Sequence, residues 1–256
     1  MKSHFTLLKL SFRRQIAYKV NFLGELAFPS AFLFMQFLFV SQLTKISGTL
    51  GGYTTEELNL IFVVFAVFGF FLAIISHSME SFFCLVASGK IEPYLTKPLP
   101  VWSIMLLAWS RPAYSFNILL VVFSALFFIP LPAANFSCRA VIEFLASLVC
   151  MLTLNLCFLL SFNLATYYTG RKMPSDYFHE IIYEPSYLPL SVYPQAIVGY
   201  LLLSIPISFS ASLPVSFLLE KGDWNIFYLV GTTSMAALFT WLFYKRAIGR
   251  FIGFGG

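Results

Sequence analysis

From Leu58 to Ser76 the chain reads LNLIFVVFAVFGFFLAIIS, nineteen residues without a charged side chain. A helix of about 20 such residues matches the thickness of a bilayer's hydrocarbon core. In water the same run would need apolar cover on every side, and the rest of the chain cannot give it. Of its 256 residues 59% are hydrophobic and only 11% are charged, where a soluble domain carries about 25% charge. The composition predicts an all-α polytopic membrane protein.

Hydropathy places spans near residues 22–43, 58–78, 104–129, 140–165 and 224–244. Between the fourth and the last there are two ways to place a fifth. By hydropathy alone it is 195–218, but Pro206 and Pro214 interrupt that run. Each proline removes a backbone donor, and a carbonyl orphaned in lipid must find another partner. A broken or re-entrant hairpin built around Pro194, Pro206 and Pro214 suits the run better. The crossing then falls on the more polar 175–192, shielded from lipid by its neighbours. Either way the count is six. Ahead of them, residues 1–21 form an amphipathic interfacial helix. Phe5, Leu8, Phe12 and Ile16 share one face, with basic side chains over much of the rest, as expected of a helix lying at the headgroups.

The basic residues cluster at the ends of apolar runs. With the N-terminus inside, twelve Lys and Arg fall on the cytoplasmic side and three, Lys45, Arg139 and Lys221, outside. By the positive-inside rule both termini are cytoplasmic. That distribution explains the net charge of +5 without a nucleic-acid partner. The four cysteines show no CxxC spacing, and neither a disulfide framework nor a metal site is expected. No GxxxxGK[ST] loop and no GxSxG elbow is present. The HEIIY run at His179 lacks the second histidine of a zinc protease. No catalytic residue is assigned.

Between the second and third spans lies GKIEPYLTKPLP, residues 89–100, on the cytoplasmic side by the charge count. Gly89 can end the preceding helix from the C′ position, and Pro93 and Pro98 restrict the backbone. Tyr94 and Leu95 offer apolar anchors, while Lys90, Glu92 and Lys97 offer charges to set register. The residues describe a stiff cytoplasmic projection.

SGKIEPYLTKPLP resembles the G-x-(I/L)-(D/E)-x-x-L-x-K-P-L segment of permease subunits of the ABC-2 family of ATP-binding-cassette transporters. The stretch LPLSVYPQAIVGYLLLSIPISFSASLPVSFLL resembles that family's proline-punctuated segment before the last helix. The final Gly255 and Gly256 after a basic segment are similar as well. Pro93, SLPVS in place of a Pro-Ala pair, and the acidic 175–192 region depart from the pattern. The resemblance implies a dimer, homomeric or heteromeric, in a bacterial cytoplasmic membrane, exporting an amphiphilic or lipid-like substrate. It implies separate cytoplasmic ATPase subunits that carry the ATP and Mg, with no cofactor in this chain. It makes the 79–100 loop the coupling segment, with Glu80, Gly89, Lys90, Glu92, Tyr94, Leu95, Lys97 and Pro98 at the docking site.

Five further ionisable residues fall in or beside the spans: Arg111, Asp176, His179, Glu180 and Glu184. An intramembrane charge is costly and faces a partner or a cavity, so these are candidates for the transport pathway. Arg111 can instead snorkel to the interface, with 101–110 as an interfacial helix and Pro112 opening the true span. The acidic group can instead be a solvated loop. Two rival functions remain at this point. A gradient-driven secondary transporter or channel would show internal repeats, and no self-similarity is evident between residues 22–129 and 140–244. A membrane enzyme would need a nucleophile–base or metal constellation that His4, His77 and His179 do not supply.

Overall fold

A computed structural model describes residues 2–96, 99–127, 129–132, 136–194, 206–221 and 225–248; of these, the side chains of residues 2–5, 47, 176 and 206 are not described. Among the described residues the chain is all-helical. Four helices are long and apolar enough to cross a membrane: α2 (Lys19–Ser47), α3 (Thr55–Ala87), α7 (Cys138–Leu164) and α11 (Ile226–Ile248). The first is preceded by α1 (Lys2–Ala17) and separated from it by an elbow at Tyr18. Shorter helices complete the set: α4 (Glu92–Leu95), α5 (Val101–Leu107), α6 (Tyr114–Phe127), α8 (Thr166–Thr169), α9 (Ser175–Tyr183) and α10 (Ser212–Leu218).

The central mast is α3, which packs on α2, α5, α6, α7, α8, α9 and α10. It starts with a reciprocal cap. Glu57 N–H donates to the Thr54 hydroxyl at 3.4 Å, and Thr54 N–H donates to the Glu57 carboxylate at 2.8 Å, satisfying two donors that a helix start leaves open. Two apolar cores lie along it. One, at the Thr54 end, gathers Leu58, Ile61, Phe62, Phe65 and Phe68 with Met151, Leu154, Phe209 and Val215. The other gathers Met79, Phe82, Phe83 and Val86 with Ile91, Ile104, Leu159, Leu164 and Ala247. The most extensive helix pairing is α7 with α11, where the hydroxyls of Ser161 and Thr240 meet at 2.9 Å.

The Thr54 end is tied by side chains from four segments. Lys221 donates to the Glu57 carboxylate (2.6 Å) and to Gly52 O (2.9 Å), and its ammonium sits 4.5 Å above the Tyr53 ring. Burial, with the Glu57 charge adding to it, pushes the Tyr53 phenol up to about 12, so the ring stays neutral beneath the cation. Ser137, which caps α7, donates to Glu220 at 2.6 Å, and Ser191 donates to Gly51 O. At the opposite end Lys172 pairs with Glu80.

Two expected spans take other forms. The third, expected over 104–129, is broken at residues 108–113 into α5 and α6. Pro112 stands two residues ahead of α6, where no helical donor is lost. The fifth is not a straight helix in either placement. Of the hydropathy run 195–218, residues 195–205 lie outside the described part; the remainder is a 3-10 turn at Pro206–Phe209 followed by α10. All seven residues of α10 are buried. Pro214 is its third residue, in the first turn, where the N–H has no helical acceptor in any case. Residues 175–192 form α9 and then 3-10 turns at Glu184–Tyr187 and Leu190–Val192. This stretch starts beside Asn163 near the Glu80 end and reaches Gly51 at the Thr54 end, running the length of the bundle as a broken element.

Candidate functional site

Three features built from the residues above carry chemistry: a projection at the Glu80 end, a polar node at the base of α2, and a cavity between α2, α3 and α9.

The projection begins where α3 stops. Gly89 adopts φ +68°, a conformation strained for residues with a Cβ. Its N–H donates to Val86 O at 3.1 Å, and Lys90 N–H donates to Leu85 O at 2.9 Å. These two bonds make a Schellman stop. Ile91 is then buried in the core and α4 follows at once, with Pro93 in its first turn. The proline that departs from the family pattern therefore costs no hydrogen bond. Tyr94 is turned inward: its ring meets Trp109 at 5.0 Å, edge to face. Leu95 points out, together with Lys90, Glu92 and Pro93. Of the two expected anchors, Leu95 is the exposed one and Tyr94 is half-buried. Glu80 is engaged by Lys172 inside the protein. Lys97 and Pro98 lie outside the described residues.

The node joins α1, α2, α5 and α6. Ser11, buried on α1, lies 3.0 Å from the carbonyls of both Leu107 and Ala108. Gln15 accepts from Ala113 N–H at 3.0 Å and donates to the Glu25 carboxylate at 2.8 Å. Glu25 also accepts from Asn21 (3.1 Å) and pairs with Arg111 at 3.3 Å. Arg111 thus has a carboxylate partner. Leu8 and Ile16 of the expected apolar face are exposed, while Phe12 stacks on Phe116; α1 docks onto the protein through Phe12 and through the polar strip of Ser11 and Gln15 beside it. Sequence periodicity missed this because one serine and one glutamine carry no hydropathy signal.

Pro29, inside α2, has no N–H to give to Glu25 O. The Asn117 side chain supplies the missing donor at 3.1 Å from α6, so the carbonyl is satisfied.

The cavity has a volume of about 700 Å³. Its apolar walls include Phe28, Phe32 and Leu33 of α2 and Phe65, Gly69 and Phe70 of α3. Polar groups come from Gln36, His77, Arg111, Tyr177, His179, Glu180 and Glu184. Four of the five expected pathway residues therefore line one cavity. The fifth, Asp176, belongs to α9 but its side chain is not described. A second, more open recess runs past the Tyr18 elbow and shares Phe28, Pro29, Arg111 and Tyr114 with the cavity.

Buried hydrogen bonds hold α9 in place. Asn163 donates to the Ser175 hydroxyl at 2.8 Å. The His179 Nε2 meets Asn155 Oδ1 at 2.7 Å, and Asn155 donates to Met151 O (2.7 Å) and to the Ser210 hydroxyl (2.9 Å). One asparagine in the middle of α7 thus secures both broken segments, 175–192 and 206–218. Tyr183 stacks between His179 and Phe65 and donates to Phe65 O at 2.7 Å. It fits because position 69 is glycine; a Cβ there would lie 3.2 Å from the tyrosine ring. The HEIIY run is explained by this packing: its first and last residues stack on each other.

Comparison with known families decides membership: the model of the ABC-2 family transporter proteins matches residues 31–255. The chain belongs to the ABC-2 transporter family. No curated protein and no solved structure matches it. It is a multi-pass ABC-2 membrane component, a part of such transporters that typically lacks ATPase activity of its own. The matched region contains α3, the projection and all of the cavity's lining except Phe28 and Pro29.

Proposed function

We propose that this chain is the permease subunit of an ATP-binding-cassette exporter in a bacterial cytoplasmic membrane. Two permease subunits, identical or different, pair around a shared path, and separate ATPase subunits holding ATP and Mg dock on the projection. The cavity is this chain's share of the path for an amphiphilic substrate. In this reading there are six crossings with both termini inside, the fifth being the broken 175–192 stretch. Residues 206–218 are the returning limb of a re-entrant hairpin on the outer side.

The observation that carries the reading is the overhang of α3. Its charge-free part, residues 58–79, accounts for about 33 Å at 1.5 Å per residue, enough for a hydrocarbon core of about 30 Å. Residues 80–87 carry the same helix about 12 Å further and end in the Schellman stop and α4. A partner pushing on α4 therefore acts on a continuous rod running to the Thr54 end. The test is purification from native membranes in mild detergent, followed by ATP hydrolysis assays with candidate amphiphiles. A co-purifying ATPase whose turnover responds to an amphiphile supports the reading; a chain that purifies without any ATPase sinks it.

A further inference from the structure

The cavity's polar groups differ sharply in what they have left to offer. Arg111, the cation on its wall, is already neutralised by Glu25 at 3.3 Å. Glu180 and Glu184 are exposed there and have no ion-pair partner among the described residues. The Gln36 side-chain oxygen is buried with no hydrogen-bond partner. An acceptor left dry is costly; a turn of this side chain toward the cavity that it lines would bring the oxygen to a donor on a ligand. His179, 8% exposed, adds another acceptor. Both amide hydrogens of Asn155 are used on Met151 O and Ser210, so Asn155 Oδ1 faces Nε2 and that nitrogen must carry the proton. In the neutral ring Nδ1 then keeps a lone pair. Glu180 and Glu184 are the uncommitted charges; the hydroxyls of Ser76, Tyr114 and Tyr177 and the His77 ring can accept as well as donate, and the apolar lining includes the rings of Phe28, Phe32, Phe65 and Phe70, whose faces attract cations.

We propose that the cavity takes a cationic aromatic amphiphile bearing hydrogen-bond donors, with its charge at Glu180 and Glu184 and its apolar body against Phe28, Phe32 and Phe65. This rests on the reading of the cavity as the substrate's path and narrows the substrate class within it. An anionic lipid headgroup fits poorly, because its natural partner Arg111 is already engaged.

Tetraphenylphosphonium and tetraphenylborate, matched in shape and opposite in charge, test this on the full chain in nanodiscs. A Ser76→Cys variant, with the four native cysteines replaced by serine, reports occupancy through its rate of labelling by N-ethylmaleimide. Ion concentrations are compared after correction for partitioning into protein-free bilayers. The expected result is half-protection by the cation at about one tenth of the anion's concentration, and loss of that preference in Glu180→Gln/Glu184→Gln. Since both glutamates are exposed, the double variant should insert; if it does not, each single variant should give part of the loss. Equal protection by both ions, or a preference that survives removal of the glutamates, overturns the cationic class and leaves the path standing. Protection by neither ion overturns the path reading together with the proposal. A Ser76→Cys site already blocked without any ion means that a second copy fills the cavity, which overturns it too.

Discussion

Asn117 and Pro29 make a pair whose energetics can be separated. The proline leaves Glu25 O without its helical donor, and the asparagine replaces that donor from another helix. Asn117→Ala should cost about 1 kcal/mol, between the ~0.6 kcal/mol of an average interhelical bond in a membrane and the ~1–3 kcal/mol of an orphaned buried group. In a Pro29→Ala background, where α2 closes its own bond, the same substitution should cost less. Unfolding midpoints in SDS titrations of the four proteins measure the coupling; equal costs in both backgrounds would remove the account. Gly69 is a second such position. Gly69→Ala puts a Cβ 3.2 Å from the Tyr183 ring and should destabilise by about 1–3 kcal/mol through overpacking, read by the same titration. Neither pairing was legible in the sequence. Pro29 and Gly69 sit in apolar runs where their partners, 88 and 114 residues further on, leave no local trace. Gly89 was legible, because a helix stop is a local event decided by one residue's φ.

Whole elements show where hydropathy reading works. The four long helices followed directly from uniform apolar runs, each within a few residues at most ends. The expected fifth span and its neighbour did not, because α9 and α10 are held by tertiary polar contacts through Asn155 and not by their own periodicity. Asn155→Leu should therefore loosen both broken segments at once, leaving His179 Nε2 unpaired at a cost of about 1–3 kcal/mol and Ser210 with only its own bond to Ile207 O. Hydrogen exchange should rise over 175–192 and 206–218 together; a rise confined to one segment would show that the two are held separately. The projection divides its two anchors in the same manner. Tyr94→Ala removes an internal ring contact and should lower stability. Leu95→Glu changes only an outward face, and should weaken ATPase association at least tenfold while leaving the unfolding midpoint unchanged. Sequence reading treated the two residues alike because both are apolar on one short segment; only the position of Trp109 separates them.

At the scale of the molecule, the two ends differ in character. The Thr54 end is closed by Lys221, Glu57, Ser137 and Ser191, while the Glu80 end carries the overhang, the basic residues of α11 and the docked α1. Two native cysteines mark these ends. Cys84, exposed near the base of the projection, should react with a membrane-impermeant maleimide only from the cytoplasmic side, and Cys138, exposed at the start of α7, only from outside. Sealed and inverted vesicles give the readout, and labelling of both from one side would contradict the proposed orientation. The central claim is that an ATPase works this molecule through α4. The most direct measurement is photo-cross-linking in native membranes from a photoreactive residue at position 95, with position 142, an exposed site on α7 toward its Cys138 end, as the comparison. The account predicts an ATP-dependent adduct with an ATPase subunit from position 95 and none from position 142. No adduct from 95, or an ATPase adduct from 142, would contradict it.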